Sequence, residues 1–157
     1  MALRHRLIGT VMRLAFRITR PRTIGVRAVV LDHMDRIALV RHTYIDQWYL
    51  PGGGVNRGES ISAALTRELS EELALRDPHI ERVLGAYHSR NEAKDDHIII
   101  FVVRVLSNGD ELIPNVDVNE IEEARWFALD QVPSSLSPAT ARRIAEYRAG
   151  LTGAGQW

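Results

Sequence analysis

Residues Gly53–Leu75 read GGVNRGESISAALTRELSEELAL. The stretch opens on glycine, which adopts backbone conformations closed to other residues, and passes into helix-forming composition. Ser60 is a good N-cap, and from Ile61 to Leu73 the apolar residues Ile61, Ala64, Leu65, Leu69 and Leu73 recur with a helical period. A helix over 61–73 is therefore expected. It brings Glu68, Glu71 and Glu72, at spacings i, i+3 and i+4, onto one face with Cβ atoms roughly 5–6 Å apart. Like charges so placed repel, which leaves two readings: a solvated acidic face laced with Arg67 and Arg76, or a site for a hard divalent cation such as Mg²⁺ or Mn²⁺. The glycine-rich loop ahead of the helix favours the cation, because it offers backbone carbonyls to a metal and lets a bulky substrate approach. Arg67 stands four residues before Glu71 and can buttress it, and Glu59 lies at the helix start, where the dipole favours an anion. No Gly-Lys-Ser/Thr follows, so the loop is not a phosphate-cradling P-loop.

Outward from this segment the chain mixes strands and helices. Thr23–Leu31 (TIGVRAVVL) and Arg36–His42 (RIALVRH) read as strands around the polar break Asp32–Asp35. Trp48-Tyr49-Leu50 runs into Pro51-Gly52-Gly53-Gly54, which continues neither strand nor helix, so a loop is expected there. Asp77-Pro78 ends the helix, Ile80–Tyr87 and His97–Leu106 read as strands, and Asn108-Gly109 as a tight turn. Ala124–Ala128 reads as a last strand before a helix opened by Ser137 as N-cap and Pro138 at the first helical position. Gly150–Trp157 reads as a flexible tail.

The chain has 157 residues, the size of one domain. Its 20 basic and 20 acidic residues cancel, so no overall field draws in nucleic acid or an anionic membrane. The absence of Cys excludes disulfides, thiol catalysis and thiolate metal sites, and points weakly to a reducing compartment. The longest apolar run, Ile98–Val103, is far short of the roughly 18 residues a spanning helix needs, which argues against membrane insertion. Residues 1–22 carry six Arg and no acid, leaving a net −6 on residues 23–157. As a helix this arm would align Leu3, Leu7, Val11, Leu14 and Ile18 on one side and Arg6, Arg13, Arg17 and Arg20 on another. Three readings stay open for it: packing on its own domain or a dimer partner, contact with a membrane surface, or a targeting peptide. The expected organisation is an arm at 1–22, a domain at 23–149 and the tail at 150–157.

Segment 53–75 resembles the Nudix box, whose pattern is Gly, five residues, Glu, seven residues, then Arg-Glu-aliphatic-any-Glu-Glu-any-Gly-aliphatic. Gly53, Glu59 and Arg67-Glu68-Leu69-Ser70-Glu71-Glu72-Leu73 fill it in order, and Leu75 closes it. Ala74 stands where the family usually has Gly. Glycine there would allow a left-handed turn, so a slightly altered helix exit is expected, with the chemistry intact. Trp48–Gly53 and Glu123–Pro133 are similar to the family's flanking strand and closing segment, so the resemblance covers about residues 23–147 and leaves the arm outside.

The resemblance implies an α/β fold, an α/β/α sandwich with a mixed sheet, and an enzyme that cleaves a nucleoside diphosphate linked to another group by attack of water at phosphorus. It implies Mg²⁺ (or Mn²⁺) held by Glu68, Glu71 and Glu72 with the Gly53 carbonyl, and Arg67 positioning the carboxylates. A further acid from outside the box would be Glu120, six residues before Trp126, with Glu122, Glu123, Asp95 and Asp96 as rivals; Glu68 or Glu72 can instead orient the water. Tyr44 and Trp48 can stack on a base and Arg27 and Arg41 can meet phosphate or ribose oxygens, against ordinary core packing for Trp48 and ion pairing for the arginines. His42, His88 and His97 show no metal-binding spacing and are read as surface or strand residues. The expected substrate is a small nucleotide such as ADP-ribose, a nucleotide sugar or a nucleoside triphosphate, handled in the cytoplasm. The alternative is a regulatory module that binds a nucleotide without turnover; RNA decapping is weaker still, given the net −6. A homodimer is plausible because the arm needs somewhere to bury its apolar side.

Overall fold

The computed structural model describes residues 22–90, 95–105 and 121–157. Along them run β1 (Arg22–Leu31), β2 (Arg36–His42), β3 (Trp48–Tyr49), α1 (Ile61–Leu73), β4 (His79–Ser89), β5 (Asp95–Arg104), β6 (Ile121–Ala128), α2 (Pro138–Arg148) and β7 (Gly153–Gln156). All but Arg22 of the arm, and the Asn108-Gly109 turn, lie outside the described residues. No helix among the described residues is long and apolar enough to cross a membrane.

The strands form one mixed sheet in the order β3-β2-β1-β5-β4-β7, with β6 also paired to β2. At its centre β1 and β5 run parallel, in register from Arg22 opposite Asp95 to Leu31 opposite Arg104. Because side chains alternate across a strand, each central strand feeds two cores. Val26, Ala28 and Val30 of β1, with Phe101 and Val103 of β5, pack against Ala64, Leu65, Leu69 and Leu73 of α1. Val29 and Leu31, with Ile100 and Val102, face the other way and pack with Ile144 of α2. A helix therefore covers each side, giving the expected α/β/α sandwich. The turn from β1 to β2 is held by Asp32, whose buried carboxylate accepts the amides of Met34 (2.9 Å) and Arg36 (2.8 Å) and the Arg36 Nε (2.6 Å). Those bonds outweigh the cost of burying it and hold its carboxyl below the usual range.

Both helices begin as the sequence predicts. Ser60 Oγ accepts the Ala63 amide at 3.1 Å, and Ser137 Oγ accepts the Thr140 amide at 3.2 Å with Pro138 just inside. The end of α1 corrects the expected altered exit: Ala74 takes the left-handed conformation itself, with φ 56° and ψ 23°. Its amide reaches the Ser70 carbonyl at 3.1 Å, and the Leu75 amide reaches the Leu69 carbonyl at 3.2 Å. This is the closure that glycine would give, made here by a residue with a Cβ.

Trp48–Tyr49 is a short strand on β2, in keeping with the flanking strand the resemblance implies. One further correction concerns the sheet: residues expected to form a flexible tail instead supply β7, parallel to β4. Trp157 closes it, donating its amide to the His88 carbonyl at 2.9 Å. The buried Arg143 of α2 explains why the tail docks. Its guanidinium lies 3.6 Å from the Tyr87 ring centroid, reaches the Gln156 carbonyl at 3.2 Å and pairs with Glu146 at 2.8 Å. Glu146 also accepts the Tyr87 hydroxyl at 2.6 Å. Burial, reinforced by that carboxylate, pushes the Tyr87 phenol up to about 12.

Left-handed backbone costs a residue with a Cβ about 1 kcal/mol relative to glycine. Ala74→Gly should therefore stabilise the protein by about 1 kcal/mol in urea unfolding, and a destabilised variant would show that the exit is not strained.

Candidate functional site

The site is built where the loop between β3 and α1 runs beside residues 24–28 of β1. The Val26 amide donates to the Gly53 carbonyl at 2.9 Å, the Ala28 amide to the Pro51 carbonyl at 3.0 Å and the Val55 amide to the Ile24 carbonyl at 2.9 Å. Gly52 lies so close to β1, at φ +130°, that a Cβ there would meet the Val26 carbonyl oxygen at 2.2 Å. Only glycine fits. From the helix side, Glu72 Oε2 accepts the Gly52 amide at 2.7 Å, and Glu72 is 7% exposed. A Cβ on Gly53 would lie 2.6 Å from the Glu68 carboxyl carbon, so that carboxylate rests on the bare backbone of Gly53.

Arg67 ties the cluster together. Its Nε and Nη2 bond the two Glu59 oxygens at 2.9 and 3.0 Å, its Nη1 bonds Glu68 Oε1 at 2.7 Å and Glu71 Oε2 at 3.3 Å, and Nη2 also reaches the Gly54 carbonyl at 3.0 Å. The buttress is thus stronger on Glu59 and Glu68 than on Glu71, whose side chain is 57% exposed. Glu59 and Glu68 hold the guanidinium firmly charged. In return the Arg67 bonds, with the Asn56 amide, draw the Glu59 carboxyl down to about 2.

Arg27, half-buried on β1, donates to the Leu50 carbonyl at 2.7 Å and lies in the field of Glu72 and Glu68. Burial lowers its pKa, and the two carboxylates partly offset that effect. Arg41 sits instead among Glu123 (2.9 Å), Glu122 (3.4 Å) and Asp46 (3.4 Å), so two rival candidates for the further acid are ion-paired to a candidate substrate arginine. Trp48 is 5% exposed and packs edge-on to Phe127 at 4.9 Å, in keeping with the core-packing reading of this residue rather than the stacking one. Tyr44, by contrast, is 72% exposed and stacks on His42 with ring centroids 5.3 Å apart. Glu120 lies outside the described residues. Among the other rivals, Asp96 accepts the Thr23 hydroxyl and Asp95 is paired with His88 at 2.5 Å, a bond that lowers the Asp95 carboxyl. Chain spacing gives no hint that His88, Asp95 and His97 converge, yet they do; the signal lay in the pairing of β4 with β5.

The donor set fits a hard divalent cation. Glu68, Glu71 and Glu72 present carboxylate oxygens on one helix face, and the Gly53 carbonyl has a second lone pair beyond its bond to Val26. Three negative charges there face Arg67, which is shared with Glu59, and the field of Arg27.

The NUDIX domain family model matches residues 21–148. A protein of Bacillus subtilis strain 168, provisionally named an 8-oxo-dGTP diphosphatase, is 27% identical over 128 residues, which span 82% of this chain and 81% of that one. An ADP-ribose pyrophosphatase of Methanocaldococcus jannaschii is 36% identical over 109 residues, 66% of this chain and 61% of the relative, so less than two thirds of that protein is spanned. Among solved structures, a NUDIX hydrolase from Nitrosomonas europaea superposes with a TM-score of 0.69 at 25% identity, over 85% of this chain and 93% of that chain.

The depressed Glu59 carboxyl sets a pH test. Stability drawn from its pairing with Arg67 is fully present above the usual value of 4.5 and is lost as pH falls towards about 2. Arg67→Gln should thus be less stable than the native protein at pH 6, with the gap in urea midpoint narrowing between those two pH values. A gap that stays constant with pH would remove the ion pair as its cause.

Proposed function

Because the chain belongs to the Nudix family, we propose that it is a Mg²⁺-dependent pyrophosphohydrolase that cleaves a phosphoanhydride bond in a nucleoside diphosphate linked to a further group. The observation that carries this reading is the lock between loop and helix: the Gly52 amide on Glu72 and the close seat of Glu68 on Gly53 aim two carboxylates at one place before any ligand arrives. In this reading Glu68, Glu71 and Glu72 hold the ion with the Gly53 carbonyl. Bound there, Mg²⁺, or Mn²⁺ in its place, supplies charge neutralisation of the pyrophosphate and an activated water.

The chain's own groups do the rest. Arg67 acts through the carboxylates, fixing Glu68 and Glu59 rather than touching substrate. Arg27, already beside Glu72 and Glu68, offers its guanidinium to phosphate oxygens, and the exposed ring of Tyr44 offers a face to the base. Arg41 contributes from among its acids to the ribose side. When the water oxygen bonds phosphorus, the bridging P–O bond breaks and the water proton passes to a carboxylate; Glu120 is the proposed acceptor, with Glu68 or Glu72 orienting the water. The 8-oxo-dGTP and ADP-ribose in the relatives' names share a nucleoside diphosphate unit and differ beyond it, so the proposal rests on that shared unit. A small nucleotide as substrate, a cytoplasmic location and a homodimer that buries the arm complete the reading.

The test is product release from ADP-ribose, nucleotide sugars and nucleoside triphosphates with Mg²⁺, beside Glu72→Gln. Turnover of one class that chelator abolishes and that falls at least about 100-fold in Glu72→Gln is expected. Nucleotide binding with no turnover of any of them would replace the enzyme with a binding module.

A further inference from the structure

Away from the α1 carboxylates, the pairing of β4 with β5 places His88 directly opposite His97. Asp95 precedes His97 by two residues on β5, so the period of the strand turns both to one face. That face is the one bearing α1, because Ile99, two residues further on, packs with the α1 core. The His88 and His97 ring centroids are 5.0 Å apart, His88 Nε2 is 2.5 Å from Asp95 Oδ1, and one ligand atom from each of the three residues lies within 4.8 Å of the others. We infer that His88, Asp95 and His97 bind a late first-row transition-metal ion, Zn²⁺ being the representative, at a site separate from the carboxylates of α1.

The donor chemistry decides the metal. Imidazole nitrogen suits Zn²⁺ and its neighbours, whereas Mg²⁺ takes oxygen ligands and keeps its waters. With no Cys in the chain, a borderline-soft ion has imidazole as its natural ligand. Zinc bonds to nitrogen and oxygen are about 2.0–2.2 Å, so a tetrahedral ion asks for ligand atoms roughly 3.3 Å apart. Side-chain rotation closes that gap without disturbing the core: His97 is exposed, and the side chains of His88 and Asp95 are 28% and 30% exposed. The ion takes the place of the direct contact between His88 Nε2 and Asp95 Oδ1. Arg22, at 3.6 Å from Asp95 and 83% exposed, is a weak competitor. Three protein ligands leave a fourth position open to water or to an anion. On the neighbouring strand, Ile24 lies opposite His97 and accepts the Val55 amide at 2.9 Å, so the open position is one strand from the glycine-rich loop.

The experiment uses the full chain without a histidine tag, in excess Mg²⁺ to fill the carboxylates. Zn²⁺ is titrated against a chromophoric chelator and Co²⁺ is followed by its visible spectrum, in the native protein, His88→Gln, His97→Gln, Asp95→Asn and Glu72→Gln. One Zn²⁺ equivalent is expected, with affinity more than about 100-fold weaker in His97→Gln and unchanged in Glu72→Gln. Absence of a one-equivalent site, equal affinity in His97→Gln, or loss in Glu72→Gln alone overturns the inference. As a check independent of variant folding, imidazole nitrogen NMR of the native protein should show Zn²⁺ shifting His88 and His97; shifts confined to other histidines refute the site.

Discussion

The contact on which the rest depends is the seat of the Pro51–Gly54 backbone on β1. Three backbone hydrogen bonds, Val26 to Gly53, Ala28 to Pro51 and Val55 to Ile24, make the loop behave as an added strand on the sheet. A loop held this way cannot drift, and the amide of Gly52 is fixed where Glu72 finds it. The helix is thereby clamped twice, by Leu65, Leu69 and Leu73 in the core and by a nearly buried carboxylate on the loop. Without the second clamp a buried Glu72 would be costly, since a carboxylate out of water needs hydrogen-bond donors to compensate.

Charge balance follows from the same geometry. Three carboxylates on one helix face raise the free energy of α1, and Arg67 relieves part of it while Glu59 draws on the same guanidinium. Arg27, half-buried on β1, adds positive charge from the sheet side, where burial lowers its pKa and the fields of Glu72 and Glu68 offset that in part. Among the described residues this much negative charge meets few cations, and the divalent ion of the proposed function would neutralise the remainder.

Much of this was legible in the chain. The period of Ala64, Leu65, Leu69 and Leu73, with Ser60 before it, determines α1 to the residue, and the β-branched run from Thr23 to Leu31 marks a strand. What escaped the reading depends on contacts distant in sequence. Gly153–Gln156 has no side-chain pattern to mark a strand; Arg143 and the backbone of β4 order it. The left-handed Ala74 is chosen by the helix end and the packing of Leu75, against the preference of alanine itself. Trp48 and Tyr44 are alike as aromatic residues, and only the fold buries the first and bares the second. The convergence of His88 with His97 follows from strand register, which linear spacing does not encode.

The most direct measurement of the central claim is Mn²⁺ binding, by electron paramagnetic resonance, to the native protein and to Gly53→Ala. The new methyl group would press on the Glu68 carboxylate at 2.6 Å while Gly53 keeps an ordinary backbone conformation, so the fold, read by circular dichroism, should survive. Affinity at least about tenfold weaker in a folded variant is the expected result. Unchanged Mn²⁺ affinity would contradict the claim that the seat of Glu68 on Gly53 shapes a metal site.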